Sequence, residues 1–174
     1  ALVFDNFEML DVFGPLQLFK SANNALAAAR GVAVAKGAPP PPLAYDIRTV
    51  SFCKPEAVAA GGPRVVADAV VGGADEVPAE ADLGSTTLLV PGGAGTRLLV
   101  DDERFIGVLA RYGRRAPRVA TVCTGAALAA RAGFLDGCEA TTNKLSFDWV
   151  VEAGRSTRID WKRRARWVVA ADGA

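Results

Sequence analysis

The sequence contains no histidine, and that absence narrows its chemistry from the start. Histidine is the usual general base beside a nucleophilic cysteine and a common zinc ligand. A Cys–His dyad is therefore excluded, and a structural zinc site is not expected. Cysteine is scarce as well. Cys53, Cys123 and Cys138 form an odd set without a CxxC pair, which argues against a disulfide framework and suits a reducing compartment. Neither sign of charge is in excess: 20 Lys and Arg stand against 19 Asp and Glu, a net charge of +1. No global field then favours nucleic acid or an anionic membrane. The basic cluster "WKRRARW" reads as a solvated helix or strand edge. No apolar run approaches the roughly 20 residues that cross a bilayer, and no basic leader precedes "ALVF". The expectation is a cytoplasmic protein with a small-molecule substrate or ligand, without metal or cofactor, and without nucleic acid or membrane as partner.

The chain of 174 residues is 51% hydrophobic and 22% charged, the composition of one globular domain, residues 1–174, with a substantial core. "ALVF" reads as a short buried strand. "DNFEMLDVFGPLQLFKSANNALAAAR" reads as a loop entering a long helix, with Pro15 in its first turn and Leu16, Leu18, Phe19, Ala22 and Leu26 at helical spacing. "GVAVAKGAPPPP" is a Gly/Pro-rich connector, "LAYDIRTVSF" an alternating strand and "GGPRVVADAVV" a hairpin arm. "STTLLVPGG" predicts a central strand. "DDERFIGVLARYGRR" predicts an amphipathic helix with Asp101, Asp102 and Glu103 in its first turn. Then follow the strand "PRVATV", the helix "TGAALAARAG" with Gly133 as C-cap, the helix "LSFDWVVEAG" and a last strand, "ARWVVA". Strands alternating with helices predict an α/β, doubly wound, mostly parallel sheet sandwiched by helices.

In such a sheet, ligands bind outside the carboxyl ends of the strands. Three features converge there. Cys123 ends "RVATV" just before the small residues Thr124, Gly125 and Ala126. They permit a tight strand-to-helix turn that exposes a nucleophile to the free N–H groups of a helix start. A buried small hydrophobe is the alternative. Gly92 and Gly93, in "VPGGAG", can present backbone N–H groups to a developing oxyanion, or form an ordinary β-to-α turn. Asp11 lies among Met9, Leu10, Val12 and Phe13. It is either the N-cap of the following helix or a partly desolvated acid with a raised pKa, with Glu8 as the competing candidate. Cys53 and Cys138 read as structural, and Trp149, Trp161 and Trp167 as packing anchors.

Together these stretches resemble the ThiJ/PfpI superfamily, whose fold is flavodoxin-like and similar to class I glutamine amidotransferases. "LVFDNFEMLDVFGPLQLF" resembles its first strand, acidic position and Gly-Pro helix start, at Gly14. "LLVPGGAGTR" resembles its oxyanion strand end, and "RVATVCTGAALAARAGFLDGCEATTNK" its cysteine elbow. The "VCTGA" form, with "FLDG" and "ATT" following, is most similar to the isonitrile hydratase branch. The resemblance implies Cys123 as nucleophile, Asp11 as acidic partner, Thr124 as a hydroxyl or N–H beside the thiol, and Gly93 as a backbone donor. It implies a lyase needing no cofactor, and a homodimer, with which the apolar stretch around Phe7 and Met9 is compatible. A sensor whose cysteine is oxidised, held by Asp11 or Glu8, and a glyoxalase- or deglycase-like hydrolase are the alternatives. Two departures stand out: Thr124 occupies the position of a histidine in peptidase-like members, and Asn143 that of a histidine in many hydratase-like ones. The superfamily continues past "ARWVVAADGA", so the chain is expected to lack closing C-terminal elements.

Overall fold

The computed structural model describes residues 1–31, 44–52, 54–71 and 85–170. The Gly/Pro-rich connector and Cys53 fall outside them, apart from Gly31. The fold is a flavodoxin-like α/β fold, and its sheets are mostly parallel. β1 (Leu2–Val3) pairs with β2 (Val50–Phe52), which pairs with β5 (Ala69–Val71), all parallel. β6 (Thr87–Val90) and β7 (Arg118–Thr121) form a second parallel pair. β8 (Glu139–Ala140) and β9 (Asp160–Trp161) form a third. Both residues of β1 and all three of β2 are buried, as expected for strands covered on both faces. A single antiparallel hairpin among the described residues joins β3 (Glu56–Val58) to β4 (Arg64–Val66).

Five helices complete the described residues: α1 (Met9–Ala29), α2 (Thr96–Leu99), α3 (Glu103–Gly113), α4 (Gly125–Arg131) and α5 (Phe147–Gly154). α3 starts where its carboxylates suggest, with Asp102 as N-cap accepting the Phe105 N–H at 3.0 Å. α4 is buried along almost its whole length because its residues are nearly all alanine and glycine. Its burial places the residues before it, including Cys123, on a rigid support. Gly133 takes φ 82° just past that helix, the left-handed position expected of a terminating glycine.

Several expectations are corrected. Helix α1 begins at Met9, so Pro15 lies inside it and not in its first turn. Pro15 has no N–H to offer the carbonyl four residues back, that of Asp11. The expected strand "LAYDIRTVSF" shrinks to Val50–Phe52. The expected hairpin arm is split between the hairpin strand β4 and the parallel strand β5. "ARWVVA" forms no strand; it runs without regular pairing, with Trp167 76% exposed, so Trp167 is no packing anchor. Trp149 and Trp161 do pack against the core. Phe7 is wholly buried, whereas Met9, Leu10 and Phe13 of the same apolar stretch are exposed. Among the described residues no helix is long and apolar enough to cross a membrane.

Candidate active site

Cys123 sits between β7 and α4 with φ 54°. A left-handed backbone is costly for a residue with a Cβ, on the order of 1–2 kcal/mol. Strain of this kind persists only where neighbours hold it, and here they do. Val122 donates its N–H to the Val90 carbonyl at 3.0 Å, and Gly125 donates to the Val122 carbonyl at 3.0 Å. The Thr142 hydroxyl donates to the Cys123 carbonyl at 2.7 Å. The turn is therefore pinned on both sides of the cysteine and at the cysteine itself.

Two side chains approach the sulfur. Asn143 Nδ2 donates to Cys123 Sγ at 3.0 Å. The Asn143 oxygen accepts the Leu145 N–H at 2.9 Å, which fixes the amide with its nitrogen toward the sulfur. The Asp11 carboxyl lies close enough to the Cys123 side chain for the thiol to favour its charged form. Asp11 also accepts the Gly92 N–H at 3.0 Å. Burial pushes the Asp11 carboxyl above its ordinary pKa, and nearby Glu8 pushes the same way, against the opposing effects of Gly92 and Cys123. Of the two readings of Asp11, the N-cap falls: Glu8 holds that position, without a side-chain capping bond, and Asp11 lies in the first helical turn.

The loop that leads into the helix carrying Asp11 is stitched to its neighbours by backbone bonds. Asn6 donates to Val58 at 2.7 Å, Ala60 to Phe7 at 2.9 Å, and Glu8 to Gly92 at 2.9 Å. The β1–α1 loop is thus clamped between the hairpin and the end of β6. This explains how residues 11 and 123, far apart in the chain, reach one another.

The glycines of "VPGGAG" act here through close approach. A Cβ on Gly92 would stand 2.7 Å from the Thr124 nitrogen and 2.8 Å from the Cys123 Cβ. Gly93 takes φ 125°, and a Cβ there would strike the backbone of Asn6, Phe7 and Glu8. Their N–H groups, however, are both engaged: Gly92 donates to Asp11, and Gly93 donates to the Thr124 hydroxyl at 3.1 Å. In this structure neither N–H is free for an oxyanion. The Thr124 hydroxyl is buried and also accepts from Thr96 at 3.1 Å, so it ties the end of β6 to the elbow. No partner holds the Thr124 N–H among the described residues. Glu8 is exposed, and a side chain at Gly14 would meet only Leu10 of its own helix. Cys138 Sγ lies near the Asp136 carbonyl. Thr142 and Thr96 were not singled out from the sequence, since a threonine's hydroxyl partner depends on tertiary contacts that spacing does not encode.

The parallel α/β sheet with a strained cysteine on a strand-to-helix turn defines a flavodoxin-like protein of the cysteine-elbow type. The chain belongs to the DJ-1/PfpI family, whose sequence pattern matches residues 1–170. It is 33% identical over 144 residues, 82% of this chain and 84% of the relative, to a Streptomyces lividans protein described as "Uncharacterized protein in cpoL 5'region". It is 39% identical over 67 residues to the isonitrile hydratase of Pseudomonas putida, a match covering 38% of this chain and 29% of that enzyme. A ThiJ/PfpI family protein from Pseudomonas syringae shares the fold with a TM-score of 0.62 at 21% identity, over 91% of this chain and 58% of that one.

Proposed function

We propose that the protein is a cysteine-dependent hydro-lyase that adds water to an isocyanide, giving an N-substituted formamide. The observation that carries this reading is the Asn143 bond to the Cys123 sulfur, with the partly buried Asp11 carboxyl close enough to interact with the same side chain. The partial likeness to isonitrile hydratase supports the choice of substrate class.

The chemistry balances with these groups and one water. The Cys123 sulfur forms a bond to the terminal isocyanide carbon, and the Asp11 carboxyl delivers a proton to that carbon, leaving a thioimidate and a carboxylate. Water then adds to the same carbon while the Asp11 carboxylate takes its proton. The hydroxyl proton of this adduct passes to nitrogen, the carbon–oxygen double bond forms as the carbon–sulfur bond breaks, the sulfur departs as thiolate, and Asp11 is left protonated for the next cycle. The raised pKa of Asp11 suits a group that must carry a proton in one half-reaction and accept it in the next. Asn143, which holds no proton to exchange, positions the sulfur and offers its N–H to the developing negative charge.

The test is formamide production from cyclohexyl isocyanide by the purified protein, beside Cys123→Ala and Asp11→Asn. Turnover lost in both variants supports the enzyme. A reactive thiol with no turnover in the parent protein favours the sensor reading instead.

A further inference from the structure

Two neighbouring residues of one loop grip Cys123 at two points. The Thr142 hydroxyl donates to the Cys123 carbonyl at 2.7 Å, and Asn143 Nδ2 donates to Cys123 Sγ at 3.0 Å. β8 ends at Ala140, and the alternation of an extended strand would send two successive side chains to opposite faces. For both to reach one residue, the chain must turn between them. The turn is closed locally by the Leu145 N–H, which donates to the Asn143 side-chain oxygen at 2.9 Å, an Asx-type arrangement.

Further bonds brace the loop that carries this pair. β8 pairs in parallel with β9, and Lys162 donates its N–H to the Ala140 carbonyl at 2.7 Å. The Thr141 hydroxyl donates to the Lys162 carbonyl at 2.9 Å. Lys144 Nζ donates to the Thr141 hydroxyl at 2.7 Å and to the Thr142 carbonyl at 3.1 Å. The second of these bonds holds the peptide that joins Thr142 to Asn143. Thr142 is buried, whereas Lys144 is exposed. Loss of the Thr142 hydroxyl would take this donor from the carbonyl of the strained elbow and loosen the loop against the sulfur. The Asn143 bond is directional, so a small displacement of the loop weakens it.

We infer that Thr142 is a positioning residue for the thiol. By fixing the Cys123 carbonyl it sets the Asn143 amide in register with the sulfur, and Lys144 braces the peptide between them. Thr142 thus acts on reactivity through Asn143 and not through the sulfur itself. The inference rests on Cys123 as a reactive thiol, one half of the proposed function, and is independent of the isocyanide.

The test is a double-mutant cycle on the whole chain, read as the rate of Cys123 alkylation by iodoacetamide and, separately, as Tm. Thr142→Val is expected to slow alkylation by roughly three- to ten-fold, no more than Asn143→Ala does. Thr142→Ser, which keeps the hydroxyl, is expected to hold the parent rate. In the Asn143→Ala background Thr142→Val is expected to leave the rate unchanged while still lowering Tm, a split that a purely structural role does not produce. Lys144→Met, at an exposed position, is expected to slow alkylation in the parent and not in Asn143→Ala, and it carries the cycle should Thr142→Val fail to fold. A parent rate in both Thr142→Val and Lys144→Met overturns the inference. So does a Thr142→Ser as slow as Thr142→Val, or a slowing that persists without Asn143. A parent Cys123 no faster than Cys138 overturns the reactive thiol as well, whereas missing isocyanide turnover leaves every one of these rates to be read.

Discussion

Asn143 Nδ2 stands 3.0 Å from Cys123 Sγ, in a chain with no histidine to take that place. An amide fixed by the Leu145 N–H can donate to sulfur but cannot act as a base. In the proposed hydration the proton traffic therefore falls to the Asp11 carboxyl. Asn143→Ala is expected to slow alkylation of Cys123 by roughly ten-fold, the usual worth of a hydrogen bond to a charged acceptor. Asn143→Asp is expected to slow it further, since it sets a carboxylate against the sulfur. Rates with iodoacetamide check both.

Asp11 predicts a pH dependence of stability. Its folded-state pKa lies above the ordinary 3.8 because burial disfavours the carboxylate. The folded protein therefore holds this proton more tightly than the unfolded chain does. Stability from this group is full at low pH and is lost as pH rises through the folded-state value. Asp11→Asn does not titrate and can keep the Gly92 bond. It is expected to match the parent protein near about pH 4 and to exceed its Tm near about pH 7. Thermal denaturation at the two pH values decides.

Strain at Cys123 predicts an inverted order of substitutions. With φ 54°, alanine keeps the unfavourable backbone and glycine relieves it. Cys123→Gly is expected to be more stable than Cys123→Ala by about 1 kcal/mol, read from urea denaturation.

Gly92 has no room for a side chain. Gly92→Ala would set a Cβ 2.7 Å from the Thr124 nitrogen and 2.8 Å from the Cys123 Cβ. The expected cost is about 1–3 kcal/mol of stability, typical of overpacking, together with loss of thiol reactivity as the elbow shifts.

Much of this arrangement is legible in the sequence, for physical reasons. Buried parallel strands leave short apolar runs, and β6 and β7 stand where "TTLLV" and "RVATV" place them. The turn at Cys123 announces itself through the small residues that follow it. Asn143 was visible only as a departure from a pattern, because nothing in "TTNK" says that its amide folds back on a sulfur. The engagement of the Gly92 and Gly93 N–H groups was hidden for a similar reason: glycine marks where backbones approach closely, not which acceptor arrives. The start of α1 was misplaced because Pro15 suits a first turn, whereas tertiary packing carries the helix back to Met9. "ARWVVA" has strand-forming residues, but a strand exists only by pairing, and no partner meets it among the described residues.

The central claim, that Cys123 is an activated nucleophile, is tested most directly by site-resolved alkylation. Cys138, free and half-buried like Cys123, serves as the internal control within the same molecule. Purified protein is treated briefly with iodoacetamide at neutral pH, and the two cysteines are quantified by peptide mass spectrometry. The account predicts that Cys123 reacts faster than Cys138 by on the order of ten-fold or more, an excess reduced by Asn143→Ala. Equal rates at the two cysteines, unchanged by that substitution, would contradict it.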